Sequence, residues 1–534
     1  MPRTDSTTVT RPKSQTATCD LFSTRSSGIL LHPTSLPGPY GLGDLGGNAH
    51  AFVDFLASAG QGWWQMLPVG PVGQGNSPYD SPSAFAGSPL LVSLEPLVES
   101  GWLRPDEIAA PASLVQARHA DYARAERFRE SRMRAAFERF SATRHGTDWQ
   151  AFDDFRERCK AWLRDYALFC ALKQAHRGAP WTDWSRELRD RSSAGLALAS
   201  TRLKDEIEYT EFQQFLFDRQ WSALREHGRR VGVRLLGDIP IYVAHDGAET
   251  WAHRPLFHLD ARGRRRVVAG VPPDFFSTTG QLWGNPLYRW PKAHRTGFEW
   301  WVSRLTTALS RFDALRLDHF IGFRRYWEVP ADAQTAEHGR FVRVPGEAFF
   351  RTLAARFGGL PFVAEDLGAI TAEVHALRKR FGLAGMVILQ FAFGAGGAGR
   401  EYQPHRYERN SVVYTGTHDN DTSMGWLGTR LGHQATPGQR EEAARALAYM
   451  GCDQRSFHWE LIRLALMSVA NTAIFPLQDL LGLGSEARMN TPGTTLGNWQ
   501  WRMDPKQLLP EMAQKMADLC GRYERLPRLE ARLP

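Results

Sequence analysis

Eight short aliphatic or β-branched runs, separated by helix-like stretches, constrain the fold of this chain more than any other feature. They are 28–33 (GILLHP), 63–69 (WWQMLPV), 233–243 (VRLLGDIPIYV), 314–320 (ALRLDHF), 361–366 (PFVAED), 386–391 (MVILQF), 411–417 (SVVYTGT) and 472–479 (TAIFPLQD). Most are continuous rather than alternating, as expected of parallel strands buried on both faces, and polar residues gather at their C-terminal ends. Helical patterns lie between them at 49–60, 299–312, 347–357, 372–381, 439–450 and 457–469, the first closed by a glycine. Eight strands alternating with helices predict an α/β fold, a (β/α)8 barrel.

Two connections are too long for simple crossovers. Residues 71–232 hold a loop and then charged stretches at 122–140, 149–174 and 205–230 with apolar residues at three- and four-residue spacing. This predicts a mostly helical subdomain on the upper rim, where the strands end. Residues 244–313 hold a second insertion rich in Gly, Pro and aromatics. The barrel and its insertions are expected over 26–526. Residues 1–25, rich in Ser, Thr and Arg without apolar periodicity, read as a disordered tail, with a transit peptide as the alternative, and 527–534 as a C-terminal tail.

Composition narrows the function. No apolar run approaches the roughly 20 residues that span a bilayer, so a membrane partner is not expected. Five cysteines without a CxxC pair suggest reduced thiols and a cytoplasmic setting. The net charge of +8 comes from arginines in mixed runs, which read as a solvated surface and not as a nucleic-acid interface. Many of the eighteen tryptophans read as core, and because flat aromatic faces also stack on sugar rings the count suits a carbohydrate binder. No His, Cys or Asp cluster has metal-ligand spacing, so no metal or cofactor is expected and a chelator should leave activity intact.

The chemistry points to three strand ends. The fourth run ends in Arg316-Leu317-Asp318-His319, the fifth in Glu365-Asp366, and the seventh in Thr417-His418-Asp419-Asn420-Asp421. One acid after a strand is often only a helix cap. Three at the reactive end of one barrel point to acetal cleavage, in which one carboxylic acid protonates the leaving oxygen and an opposing carboxylate attacks or steadies C1. Alternation puts Arg316 on the face of Asp318, where its charge favours the carboxylate form needed by a nucleophile. Glu365 needs a raised pKa to hold a proton. Asp366 points the other way and suits a supporting hydrogen bond.

Across residues 25–526 the sequence resembles the amylomaltases, glycoside hydrolase family 77 of the α-amylase clan. The segments that carry the resemblance are 28–46, 63–71, 77–95, 237–251 (GDIPIYVAHDGAETW), 269–290, 314–323 (ALRLDHFIGF), 363–368 (VAEDLG), 414–422 (YTGTHDNDT) and 490–502 (NTPGTTLGNWQWR). The resemblance implies a retaining 4-α-glucanotransferase acting on maltooligosaccharides, amylose or glycogen, with glucose or another glucan as acceptor. It is expected to be a monomer or weak homodimer. Asp318 is then the nucleophile, Glu365 the general acid/base and Asp419 the third carboxylate. Arg316, His418 and Asp238 match positions near the reacting sugar. Ser77, Tyr79, Trp283, Asn490, Pro492 and Gly493 fall in glucan-contacting segments, with loop packing as the alternative reading of Tyr79 and Trp283. Phe275 stands where relatives often carry Tyr, and 394–396 is Gly-Ala-Gly where they often carry an acid. The carboxylates alone do not separate transfer from hydrolysis, and a glycan-binding barrel without activity is the third alternative.

Overall fold

The computed structural model describes residues 20–527, except 274–276, 369 and 395–398. Each of the eight apolar runs supplies one parallel strand: β1 (Ser26–Leu30), β2 (Trp63–Gln65), β3 (Arg234–Ile239), β4 (Ala314–Leu317), β5 (Phe362–Ala364), β6 (Gly385–Ile388), β7 (Ser411–Tyr414) and β8 (Thr472–Pro476). Neighbours in sequence pair in order from β1 through β5 and from β6 through β8, and β8 pairs with β1. The β5–β6 seam closes through a parallel bridge between Val363 and Ala384. The result is the expected barrel with insertions.

The barrel interior is filled from alternate strand positions. Leu30, Trp63, Leu236, Ala314, Val363, Met386, Val412, Tyr414 and Ile474 pack together inside, while Ile29, Trp64, Leu235 and Leu315 face the outer helices. This two-residue period is that of a pleated strand. A Cβ on Gly28 would sit 2.4 Å from the Trp63 Cβ and 2.5 Å from its carbonyl oxygen, so glycine is what lets β1 lie this close to β2.

Several strands are shorter than their apolar runs. β2 stops at Gln65 and β3 at Ile239, yet Leu67, Val69, Ile241, Tyr242 and Val243 remain buried. These residues are apolar because the insertions roof them over, and Pro68 and Pro240 lack the N–H that a strand would use. After β6, residues Leu389–Phe391 turn as a short 3-10 helix.

The 71–232 insertion is mostly helical. The expected helix over 149–174 is two, Thr147–Arg158 and Leu163–Ala175, broken where Trp162 turns to φ −137°. The break lets Phe152 and Phe155 meet Phe215 of the 28-residue helix Lys204–Val231. That long helix also lays Trp221 against Phe312 beside β4, so it belongs to the insertion and to the barrel wall at once. It ends at Gly232, in the left-handed conformation at φ 83°. A second sheet, antiparallel, orders 281–286, 267–271, 325–330 and 340–343. Its last two strands follow β4, outside the 244–313 segment where the second insertion was expected. They are six and four residues long, the first inside the sheet and the second at its edge, and their alternation is too brief to read.

Packing begins before the boundary set for the N-terminal tail. Phe22 stacks on Trp63 at 5.3 Å, and the Arg25 guanidinium donates to the carbonyls of Leu466, Ser468 and Tyr523. Arg525, fully buried, donates to the carbonyls of Ser26, Ala465, Leu466, Ser468, Ala470 and Asn471. It ties the C-terminal end of the chain to β1 and β8. Arg525→Met is expected to cost about 3–5 kcal/mol, because several buried carbonyls lose their donors together. Denaturant unfolding monitored by tryptophan fluorescence checks this, and a loss under about 1 kcal/mol contradicts it.

Candidate active site

β3, β4 and β5 lie side by side, and the inward positions at their upper ends are Asp238, Arg316 and Val363. Asp238 is paired in register with Arg316, and Leu317 with Ala364. One residue further on, Asp318 and Glu365 leave their strands together. The Asp318 amide still donates to the Ile239 carbonyl (3.0 Å), and the Glu365 amide to the Leu317 carbonyl (3.1 Å).

Arg316 organises the polar cluster. Its Nη1 donates to both oxygens of Asp238 (2.9 and 2.8 Å) and to Oδ1 of Asp318 (2.9 Å). The Tyr79 hydroxyl donates to Asp238 Oδ2 (2.8 Å), so a loop of the first insertion is anchored to β3. Arg316 and Asp238 are buried, whereas the Asp318 side chain keeps 29% of its exposure and faces the mouth. A guanidinium held from behind by a buried carboxylate presents a fixed positive charge to Asp318.

Glu365 is held by main-chain donors. Oε2 accepts the His319 amide at 2.7 Å and Oε1 the Leu367 amide at 3.3 Å. His319 directly follows Asp318 and sits in the left-handed region at φ 51°, ψ 53°, which turns its N–H toward β5. Burial pushes the Glu365 carboxyl up to about 8. The charges of Asp318 and Asp366 push the same way, and Arg316 and the His319 amide pull against them. Burial also pushes the His319 imidazole down to about 4, so it is neutral near pH 7. Its ring meets Trp283 edge-on at 4.7 Å. Trp283 itself is 37% exposed, on the strand 281–286 of the second sheet.

The third carboxylate belongs to the same mouth. Asp419 Oδ1 accepts from Asn490 Nδ2 (2.6 Å) and lies 3.3 Å from His418 Nε2. Arg488 Nη2 donates to its main-chain carbonyl (2.7 Å). The Tyr79 ring stacks on His418 at 5.1 Å, which links this quadrant to Asp238. Ser77 Oγ accepts the Tyr79 amide at 3.3 Å.

Hydrogen bonds and ring contacts thus join Asp318, Glu365, Arg316, Asp238, Tyr79, Ser77, His418, Asp419 and Asn490 in one network, with Trp283 reached through His319. Pro492 and Gly493 lie exposed on the loop that follows Asn490, whose base is tied by the Thr491 amide to Asn498 Oδ1 (2.9 Å). Phe275 and residues 395–396 lie outside the described residues. The sequence reading left His319, Arg488 and Asn498 without roles. His319 sits inside the motif 314–323, but only the backbone twist reveals what its amide does. Among the described residues, no group of three His, Cys, Asp or Glu side chains is placed to hold a metal ion.

A (β/α)8 barrel that gathers three carboxylates, an arginine and aromatic rings at its strand ends defines a class, the barrel enzymes that act on glycosidic bonds. Residues 31–508 match the glycoside hydrolase family 77 model, described as 4-alpha-glucanotransferase. The chain belongs to this family, the 4-α-glucanotransferases. It is 49% identical to the 4-alpha-glucanotransferase of Thermus thermophilus over 94% of this chain and 99% of that one. It is 46% identical to that of Synechocystis sp. over 95% and 99%. Among solved structures, the amylomaltase of Streptococcus agalactiae in complex with acarbose superposes with a TM-score of 0.89. That protein is 35% identical, over 94% of this chain and 99% of that one.

Proposed function

We propose that the chain transfers segments of α-1,4-glucan by double displacement, with Asp318 as nucleophile and Glu365 as acid and base. The single observation that carries this is the 2.7 Å bond from the amide after Asp318 to the Glu365 carboxylate, which brings the two acids to one mouth. Glu365, raised to about 8, holds a proton at neutral pH. Its Oε2 accepts the shorter bond, from the His319 amide at 2.7 Å against 3.3 Å from Leu367 to Oε1, so the proton is assigned to Oε1, the less engaged oxygen, for transfer to the glycosidic oxygen.

Asp318 attacks C1 as the C1–O bond breaks, and the leaving oxygen takes the Glu365 proton. The covalent glucosyl-enzyme consumes the negative charge of Asp318, one of the causes holding the Glu365 carboxyl up. The glutamate now gives up protons more readily and deprotonates the incoming 4-hydroxyl. That oxygen attacks C1, the ester to Asp318 breaks, and the α configuration is kept. Asp419, with Asn490 beside it, is assigned the sugar hydroxyls. His418, Tyr79 and Asp238 form the wall below the reacting ring. Ser77, Trp283, Pro492 and Gly493 are assigned to flanking glucose units.

Glucose is proposed as the smallest acceptor. Incubation with maltotriose tests the reading. Transfer yields glucose together with longer maltodextrins, hydrolysis only shorter sugars, and a binding protein leaves maltotriose untouched. Either of the last two results overturns the proposal. Tyr79→Phe keeps the ring on His418 but removes the bond to Asp238. A drop of about tenfold in kcat/KM is expected, the worth of one hydrogen bond to a charged group. Initial rates across maltooligosaccharides check it, and an unchanged value counts against the wall assigned to Tyr79. Cys159, Cys170, Cys452 and Cys520 carry free thiols, which supports placing the protein in a reducing compartment such as the cytoplasm.

A further inference from the structure

The seam between β5 and β6 is the weakest part of the barrel. Every other neighbouring pair forms a ladder of three or more registered residues, whereas β5 and β6 share the single Val363–Ala384 bridge and the bond from the Ala364 amide to the Ala384 carbonyl (2.8 Å). The next donor up the seam is the Met386 amide. In an unbroken parallel ladder it would find a main-chain carbonyl of β5. Here it donates to the Asp366 side chain, at Oδ1 and 2.8 Å. Asp366 therefore replaces a rung of the ladder directly beside Glu365.

Its other oxygen is held too. Arg378 Nε lies 2.9 Å from Asp366 Oδ2 and is itself buried, on the helix Ala372–Arg380 that crosses from β5 to β6. The same guanidinium donates to Glu408 Oε2 (3.0 Å) and to the carbonyl of Leu383 (3.3 Å). A Cβ at position 385 would lie 2.9 Å from Arg378 Cζ and 3.1 Å from Asp366 Oδ2, so Gly385 is the residue that admits the pair. These contacts form a buttress from the outer helix, through the seam, to the residue adjoining the acid/base.

We infer that Asp366 is a positioning residue for Glu365: it clamps the open seam and keeps a negative charge behind the proton donor. This rests on the acid/base role assigned above. Glu365 is faced by Arg316 and Asp318 from β4, and Tyr402 is near enough to feel its charge. The charges around Asp366 are Arg378 and His375 of the helix and Glu408 beyond them. Asp366→Asn removes one of the negative charges that favour the protonated glutamic acid and leaves Arg378 less compensated. Both effects push the Glu365 carboxyl down, so its proton is lost at lower pH.

The test compares two donors on the intact enzyme. Maltotriose needs a protonated leaving oxygen, whereas fluoride departs from α-maltosyl fluoride without help. For Asp366→Asn we expect a fall of about tenfold or more in kcat on maltotriose, and single-turnover fluoride release within about twofold of the parent. The alkaline limb of kcat/KM should move down by about half a pH unit or more. A parallel loss on both donors, or a limb that stays in place, overturns the inference. The surface variant Glu408→Gln keeps the seam whole and removes a negative charge from the same chain of groups. Its limb should move in the same direction by a few tenths of a pH unit, and an unmoved limb there overturns the inference even if Asp366→Asn does not fold. Glu365→Gln run beside them separates the two readings. If it shows no preference for the fluoride donor, the acid/base assignment itself fails. If it does and Asp366→Asn does not, only the buttress fails.

Discussion

Asp318→Asn is expected to lower turnover on maltotriose by about 10⁴-fold or more, the scale seen when a covalent nucleophile is removed. The amide cannot form the ester to C1, and no neighbouring carboxylate occupies its place. Glu365 is committed to the amides of His319 and Leu367, while Asp419 is engaged by Asn490. Folding should survive the change. Asp318 is partly exposed and supplies one of three bonds to Arg316 Nη1, the other two coming from Asp238. The decisive measurement is the fluoride burst from α-maltosyl fluoride. The parent should release about one equivalent in the first turnover, and the variant none. A burst of normal size would mean that another residue attacks.

Glu365→Gln is expected to slow transfer from maltotriose by about 10²–10⁴-fold, the usual worth of a positioned acid/base. The loss should depend on the leaving group. Fluoride needs no proton, so the first step with α-maltosyl fluoride should stay near the parent rate. The glucosyl-enzyme should then accumulate, because no base remains to activate the acceptor. Azide, which attacks without a base, should speed its breakdown. The pH profile follows from the raised carboxyl. The protonated glutamic acid is the active form in bond cleavage, so kcat/KM of the parent should hold through neutrality and fall as pH rises through about 8. An alkaline limb near the ordinary glutamate range would remove Glu365 from the role of acid.

Much of this was legible before any coordinates. Buried parallel strands need apolar residues on both faces, so they leave continuous runs in the sequence, and all eight runs hold a barrel strand. Arg316 and Asp318 could be placed on one face because the strand period is two, and the 2.9 Å bond between them follows from it. Other features left no local trace. Residues 66–69 and 240–243 look like strand because they are apolar, yet they are apolar through the roof above them. The strands at 325–330 and 340–343 hold together by pairing across the second sheet, which no short window of residues records.

The site divides along the same line. Its acids and their order along the barrel were set by the chain's own residues, since Asp318 and Glu365 directly follow strands that local composition reveals and Asp419 lies in the loop after a third. What those acids do to one another was decided by tertiary structure. The left-handed turn at His319, the burial that raises Glu365, the stacking of Tyr79 on His418 and the carboxylate of Asp366 in the β5–β6 seam all join segments far apart in sequence. Proton affinity depends on solvent exclusion and on charges a few ångströms away in space, and neither is a property of a residue's sequence neighbours.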